Sequence, residues 1–194
     1  MRRVTIGAAA LAAALFLPAP ADAADAARGR QLAEACAACH GETGNSGLDL
    51  VPSLAGQRPL FLTLQMILFR EGIRAFPPMN EAMKGMPDRD IEDLAAYYAS
   101  LPLEPQPPER DAAKDARGAA LSASHHCGSC HLPDYSGQNQ VPRIAGQRED
   151  FLLHTMLEYQ QQKRTGTDTA MIAALYGLSE ADLAALAHYL AIRR

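Results

Sequence analysis

Two five-residue stretches limit what this chain can become: Cys36-Ala37-Ala38-Cys39-His40 and Cys127-Gly128-Ser129-Cys130-His131. Each reads C-x-x-C-H, the spacing of c-type haem attachment. Two thiols about one helical turn apart can add across the two vinyl groups of one porphyrin, and the next residue turns its imidazole toward the iron. A lone C-x-x-C also serves as half of a zinc site or as a redox dithiol. The gap from Cys39 to Cys127 far exceeds zinc-ribbon spacing, however, and a redox dithiol has no use for a following His. All four Cys fall inside the two motifs. The cysteine arithmetic therefore favours thioethers over disulfides, and the expectation is two covalently bound haem c groups.

The N-terminus reads as an export signal. Arg2 and Arg3 precede an apolar run from Val4 to Leu17, and Ala21-Asp22-Ala23 is an A-x-A cleavage site. Residues 1–23 are read as a signal peptide, which places the mature protein in a periplasm. The 14-residue run is short for a membrane span, so an uncleaved anchor is the weaker alternative. From Ala24 onward 16 basic side chains face 21 acidic ones, a net charge of −5. With no basic patch or run, nucleic-acid binding has no support.

The chain is an internal duplication. Cys36, Cys39 and His40 recur 91 residues on. Pro52-Ser53-Leu54-Ala55-Gly56-Gln57-Arg58 recurs 90 residues on, as Pro142-Arg143-Ile144-Ala145-Gly146-Gln147-Arg148. Asp90, Leu94 and Tyr97 recur 92 residues on, as Asp182, Leu186 and Tyr189. Between the copies, Pro102-Leu103-Glu104-Pro105-Gln106-Pro107-Pro108 cannot continue a helix and should form an extended strap. This gives a first domain at residues 24–101, a linker at 102–110 and a second domain at 111–194. Units of about 80 residues are small for a self-sufficient core, and a buried haem would supply apolar mass.

Both copies read as helical, with no convincing strand alternation. Helices are expected over 25–37, 58–71 and 88–100, then over 112–124, 148–163 and 180–192. Leu60, Leu64, Ile67 and Leu68 suggest a buried face on the second, and Ile91, Leu94, Ala95 and Tyr98 on the third. Ser179 with Asp182 is a capping-box pattern. Gly29 and Gly118 cost helicity where they stand. Either they admit a close neighbour, with Tyr97 or Tyr98 and Tyr189 the obvious partners, or they are merely tolerated.

A haem iron with one His needs a sixth ligand or an open position. The first copy holds only His40, so Met is the natural candidate there. Met66 pairs with Met156 across the repeat, and Met79 with Met171. Met66 and Met156 sit in apolar helices, where Met is usually core filler. Met79 and Met171 lie in loop-like sequence, each 11 residues before Asp90 or Asp182. They are the preferred ligands, with Met83 the rival of Met79. In the second copy His154 and His188 leave bis-His ligation open, while His125 and His126 read as surface or structural residues.

Taken together, the two C-x-x-C-H motifs, the P-x-[LI]-A-G-Q segments, Met79, Met171 and the Leu94-Ala95-Ala96-Tyr97-Tyr98 helix end resemble the dihaem class I cytochromes c, specifically the cytochrome c-four family. The resemblance covers nearly the whole chain after the signal. It implies an all-α fold of two tandem class I cytochrome c domains, with axial ligands His40, Met79, His131 and Met171. It also implies that the carbonyls of Pro52 and Pro142 accept the proximal His N–H groups. The expected role is electron transfer between respiratory redox proteins. A quinol-oxidising complex or dehydrogenase would be the donor and a terminal oxidase or reductase the acceptor, with peripheral membrane association possible. The resemblance extends to haem subunits of flavin-linked sulfide dehydrogenases. A dihaem peroxidase is the weaker enzyme reading, because each copy supplies a well-placed Met.

Overall fold

The computed structural model describes residues 23–164 and 169–194. Residues 1–22, most of the expected signal peptide, lie outside the described residues, as do Thr165 to Asp168 just before Met171.

The first half opens with α1 (Ala26–Leu32), whose first free N–H groups, of Ala27 and Arg28, are accepted by the Asp25 carboxylate. The expected single helix over 25–37 tightens into a 3₁₀ turn (Ala33–Cys36) before α2 (Ala37–His40), so the motif sits on its own helical turn. Pro59 starts α3 (Pro59–Arg70), where a missing N–H costs nothing. Then come α4 (Pro77–Met83) and α5 (Asp88–Ser100).

The second half repeats this order with α6 (Ala112–Ser124), α7 (Cys127–His131), α8 (Glu149–Gln160), α9 (Thr169–Ala174) and α10 (Glu180–Ala191). Asp111 caps α6 as Asp25 caps α1, and Ser179 with Asp182 forms the expected capping box. His126 adopts a left-handed conformation between α6 and α7, while His125 Nδ1 donates to the Ala174 carbonyl at 2.9 Å. Both histidines thus shape the approach to the second motif. Among the described residues there is no strand, only an isolated bridge between Gln138 and Val141.

Two hydrophobic clusters form, one per half. The first gathers Leu62, Met66, Phe69, Met83, Ile91, Leu94 and Tyr98; the second gathers Leu152, Met156, Tyr159, Leu175, Leu183, Leu186 and Leu190. The α5 face is the one expected. The α3 face is rotated: Leu62, Gln65, Met66, Leu68 and Phe69 are buried, whereas Leu60 points outward at 53% exposure. The polar Gln65 on that face masked its phase in the sequence.

In each half the first helix crosses the last at a glycine. A Cβ on Gly29 would lie 2.0 Å from the Asp93 carbonyl oxygen and 2.9 Å from Tyr97 Cβ. A Cβ on Gly118 would lie 2.3 Å from the Ala185 carbonyl oxygen and 2.4 Å from Tyr189 Cβ. Close approach, not tolerance, explains both glycines. At the same crossing each half must satisfy the N–H of its capping Asp. In the first, buried Asp93 accepts from Asp25 N–H at 2.6 Å and pairs with Arg28 and Arg89. In the second, Ala185 replaces Asp93, and buried His188 Nε2 accepts from Asp111 N–H at 3.0 Å.

Gly118→Ala should therefore destabilise the protein by about 1–3 kcal/mol or more through overpacking. Gly47→Ala, with no atom within 4 Å of the added carbon, should be close to neutral. Urea unfolding of the pair checks this, and equal midpoints would contradict the crossing argument. A second expectation concerns acid. Burial favours the neutral form of Asp93, but the Asp25 N–H, Arg28 and Arg89 outweigh it and hold the carboxyl below its usual range. Asp111 is held low by the Lys114 and Ala113 N–H groups, and Asp182 by the Ser179 hydroxyl, then its N–H, with Arg117 helping. A carboxyl lowered on folding contributes stability above its unfolded value, near 4, and loses it as pH falls through the folded value. Unfolding midpoints should drop below about pH 4. Asp93→Asn should be weaker at neutral pH and show a shallower acid decline; an unchanged acid limb would contradict the assignment.

Candidate haem-binding sites

Each C-x-x-C-H motif is backed by a turn that begins about a dozen residues later. His40 is buried, and its Nδ1 donates to the Pro52 carbonyl at 3.0 Å. His131 is buried likewise, with Nδ1 donating to the Pro142 carbonyl at 2.9 Å. This fixes the tautomer in both rings: the proton is on Nδ1 and the lone pair on Nε2, the form that ligates a metal. The two carbonyls are the ones that the family resemblance singled out.

The turns that carry those carbonyls are built the same way twice. Leu54 and Ala55 N–H both donate to the Gly44 carbonyl, and Gly56 N–H donates to Tyr98 on α5. Ile144 and Ala145 N–H both donate to Tyr135, and Gly146 N–H donates to Leu190 on α10. Gly56 and Gly146 have φ of +64° and +68°, where only glycine is unstrained. Leu103 of the proline-rich strap packs against both turns, and Asn45 ties the strap down through the Pro102 carbonyl and Glu104 N–H.

The thiols lack the environment of a redox dithiol. Cys39 and Cys130 are exposed, and Cys36 and Cys127 are half-buried. Burial pushes the Cys36 and Cys127 thiols up, partly offset by the Tyr98 and Ser122 hydroxyls. A dithiol catalyst needs a lowered thiol. Among the described residues no group of three His, Cys, Asp or Glu side chains is placed to hold a metal ion such as zinc.

The methionines separate by burial. Met66 and Met156 are core residues, as expected. Met83 is fully buried in the first cluster, and its counterpart 92 residues on is Leu175, equally buried and unable to ligate iron. Met79 and Met171 are half-buried at the edge of the two clusters. Both were expected in loops but stand on the short helices α4 and α9. Pro77 and Pro78, which make the sequence before Met79 look like loop, occupy the opening turn of α4, and Asn80 clamps that turn to the Phe69 and Arg74 carbonyls. His188 is removed as a ligand candidate. Its Nε2 accepts from Asp111 N–H and its Nδ1 faces Glu149 at 3.2 Å. His154 lies on an exposed face, 3.4 Å from Glu158.

Three features had no local signature in sequence. First, Arg74, half-buried, and Arg164, buried, stand in equivalent places and meet across the two halves. Arg74 Nη1 donates to Gln65 Oε1 at 2.8 Å, and Arg164 Nη2 approaches the same oxygen at 3.4 Å. Burial, then the neighbouring Arg164, push the Arg74 guanidinium down to about 9. Burial lowers Arg164 too, Glu158 lies 3.9 Å away, and Arg164 Nε has no hydrogen-bond partner. Guanidinium does not give up its proton readily, so this pair calls for further anions. The propionates of haem are anions of that kind, and in this respect the residues fit the cofactor.

Second, Arg58 and Arg148 reach into the opposite half. Arg58 Nε donates to the Ser136 carbonyl at 2.7 Å, and Arg148 donates to the Ser46 carbonyl at 3.3 Å and to Asp49 at 3.0 Å. Third, Gln57 and Gln147 are buried between the halves. Gln57 pairs with the N–H and carbonyl of Arg143, and Gln147 with those of Ser53. The repeated Gly-Gln-Arg of the sequence thus makes contact between the copies. The only available hint was that its polar residues repeat although haem attachment does not require them.

Comparison with known proteins agrees with this geometry. Residues 24–97 match the family described as "Cytochrome C oxidase, cbb3-type, subunit III", and residues 116–192 match "Cytochrome c". Cytochrome c4 of Pseudomonas aeruginosa is 30% identical over 177 residues, covering 87% of this chain and 88% of that protein. The crystal structure of reduced recombinant cytochrome c4 from Pseudomonas stutzeri superposes with a TM-score of 0.81 at 27% identity, covering 89% of this chain and all of that one. Thiosulfate dehydrogenase (TsdBA) from Marichromatium purpuratum matches with a TM-score of 0.75 at 30% identity over 87% of this chain and 40% of that one. Two helical domains, each with one C-x-x-C-H turn facing a proline carbonyl, and this likeness along most of the chain give one conclusion: the protein belongs to the cytochrome c4 family of dihaem electron-transfer proteins.

Proposed function

We propose that the protein is an exported, periplasmic electron carrier whose two haems are both ligated by His and Met. Cys36 and Cys39 would hold the first haem and Cys127 and Cys130 the second, with His40 and Met79, and His131 and Met171, on the two irons. When bound, each haem supplies a one-electron ferric–ferrous couple. The rest is done by the chain. Pro52 and Pro142 orient the proximal rings. Met79 and Met171 would fill the sixth positions, which argues against peroxide turnover. Arg74 and Arg164 would hold propionates, and their positive charge would favour the reduced state. The observation that carries this reading is the duplicated hydrogen bond from each motif histidine to its proline carbonyl, which presents Nε2 in the ligating tautomer twice in one chain.

The mature protein would take electrons from a quinol-oxidising complex or a dehydrogenase and deliver them to a terminal oxidase or reductase. No helix among the described residues is long and apolar enough to cross a membrane. Contact with a membrane complex would then be peripheral once residues 1–23 are removed. Domain limits at 24–101 and 111–194 fit the strap between them. The likeness to thiosulfate dehydrogenase favours a second reading, a haem subunit held tightly by a catalytic dehydrogenase. Purification from the native cell distinguishes the two, since a carrier comes free and a subunit brings a stoichiometric dehydrogenase.

Met171→Ala should open the second iron to carbon monoxide, while Met83→Leu should leave both spectra unchanged. A Met171→Ala protein with wild-type spectrum and potential would overturn the ligand assignment. Replacing Cys127 and Cys130 together with Ser should leave one covalent haem per chain, and a count of two would contradict the attachment sites.

A further inference from the structure

The Pro52–Ser53 peptide group is engaged at both ends. Its carbonyl accepts from His40 Nδ1 at 3.0 Å, and its N–H donates to Gln147 Oε1, in the other half of the molecule, at 3.0 Å. The Pro142–Arg143 peptide mirrors it: its carbonyl accepts from His131 Nδ1 at 2.9 Å, and its N–H donates to Gln57 Oε1 at 2.7 Å. Each glutamine also returns a bond, Gln147 Nε2 to the Ser53 carbonyl at 2.8 Å and Gln57 Nε2 to the Arg143 carbonyl at 3.0 Å. The amide orientations are over-determined. Each Oε1 takes a second N–H at 2.9 Å, from Arg58 or Arg148, so neither amide can flip without facing donor to donor. Ser53, Gln57 and Gln147 are all buried, where such bonds are little screened.

We propose that Gln57 and Gln147 are crossed positioning residues: each sets, through one peptide group, the strength of the hydrogen bond made by the proximal histidine of the opposite domain. Accepting a proton from a peptide N–H polarises that peptide and makes its carbonyl a better acceptor. A better acceptor draws the Nδ1 proton of the imidazole, raises its basicity at Nε2 and favours the ferric iron. The potential of each site would then depend on the other domain being docked against it. The inference rests on the proposed role of His40 and His131 as proximal ligands.

The test uses the full-length holoprotein with Gln147→Leu and Gln57→Leu. Proton NMR of the diamagnetic ferrous state follows the two Nδ1–H resonances, and potentiometric titration follows both haems. For Gln147→Leu the His40 Nδ1–H should move upfield, exchange severalfold faster with solvent and accompany a rise in the potential of the first haem. His131 and its haem should stay near wild type. Gln57→Leu should give the mirror image. Gln147→Glu keeps an acceptor opposite Ser53 N–H, so its His40 proton should stay at or downfield of the wild-type position, and this variant carries the test if the leucine form fails to fold. A shift confined to the histidine of the substituted domain, equal shifts in both, or no shift would overturn the proposal, as would Gln147→Glu moving upfield like leucine. A failure of the ligand reading looks different: the His40 and His131 ring protons would lack the large upfield ring-current displacement of an imidazole above a porphyrin, already in the wild type.

Discussion

The rest of the structure follows from one hydrogen bond made twice, from a motif histidine to a proline carbonyl. For it to form, a carbonyl 11 or 12 residues downstream must return to the buried face of the motif helix. A bare loop would not hold it there. The turn is fixed by paired N–H groups on one upstream carbonyl, by a glycine at positive φ, and by a bond to the last helix of the domain. The last helix in turn is fixed by its crossing over the first, where Gly29 and Gly118 let the backbones touch. Motif, turn and terminal helices are therefore one mechanical unit.

That unit is copied, but its polar fittings are not. The N–H of the capping aspartate at the helix crossing finds a carboxylate in one half and an imidazole in the other. Either solution satisfies a donor that would be expensive to bury alone. What both copies keep is the glycine, the turn and the Gly-Gln-Arg segment. Because that segment also joins the copies, the interface and the two motif histidines share peptide groups. Arg74 and the buried Arg164 lie between the same two halves and bring positive charge there.

Much of this was legible in the sequence because its signals are local or repeated. The C-x-x-C-H motifs, the helices of the terminal crossings and the capping box at Ser179 follow from spacing within a few turns, and the duplication from segments that recur 90–92 residues apart. Tyr97 and Tyr189 were named as partners of Gly29 and Gly118 from the same repeat, with mere tolerance of the glycines left open. The short helices under Met79 and Met171 were missed because prolines and small polar residues look like loop until an Asn80 clamp or a packed neighbour makes a helix of them. The phase of α3 was misjudged because Gln65, a polar residue, occupies the buried stripe while Leu60 faces out. The interface was invisible for a different reason. Gln57 meets Arg143 across 86 residues and Gln147 meets Ser53 across 94, and a repeat shows which residues correspond, not which of them touch.

The central claim is that two haems are joined covalently to this chain and capped by sulfur opposite His40 and His131. Intact mass and visible spectroscopy of mature protein, made in a host with a working haem-ligation apparatus, test it most directly. The account predicts the polypeptide beginning at Ala24 plus two haems, a low-spin spectrum and a weak far-red band of thioether bound to ferric iron. A mass equal to the bare polypeptide, or a spectrum without that band and open to carbon monoxide at both irons, would contradict it.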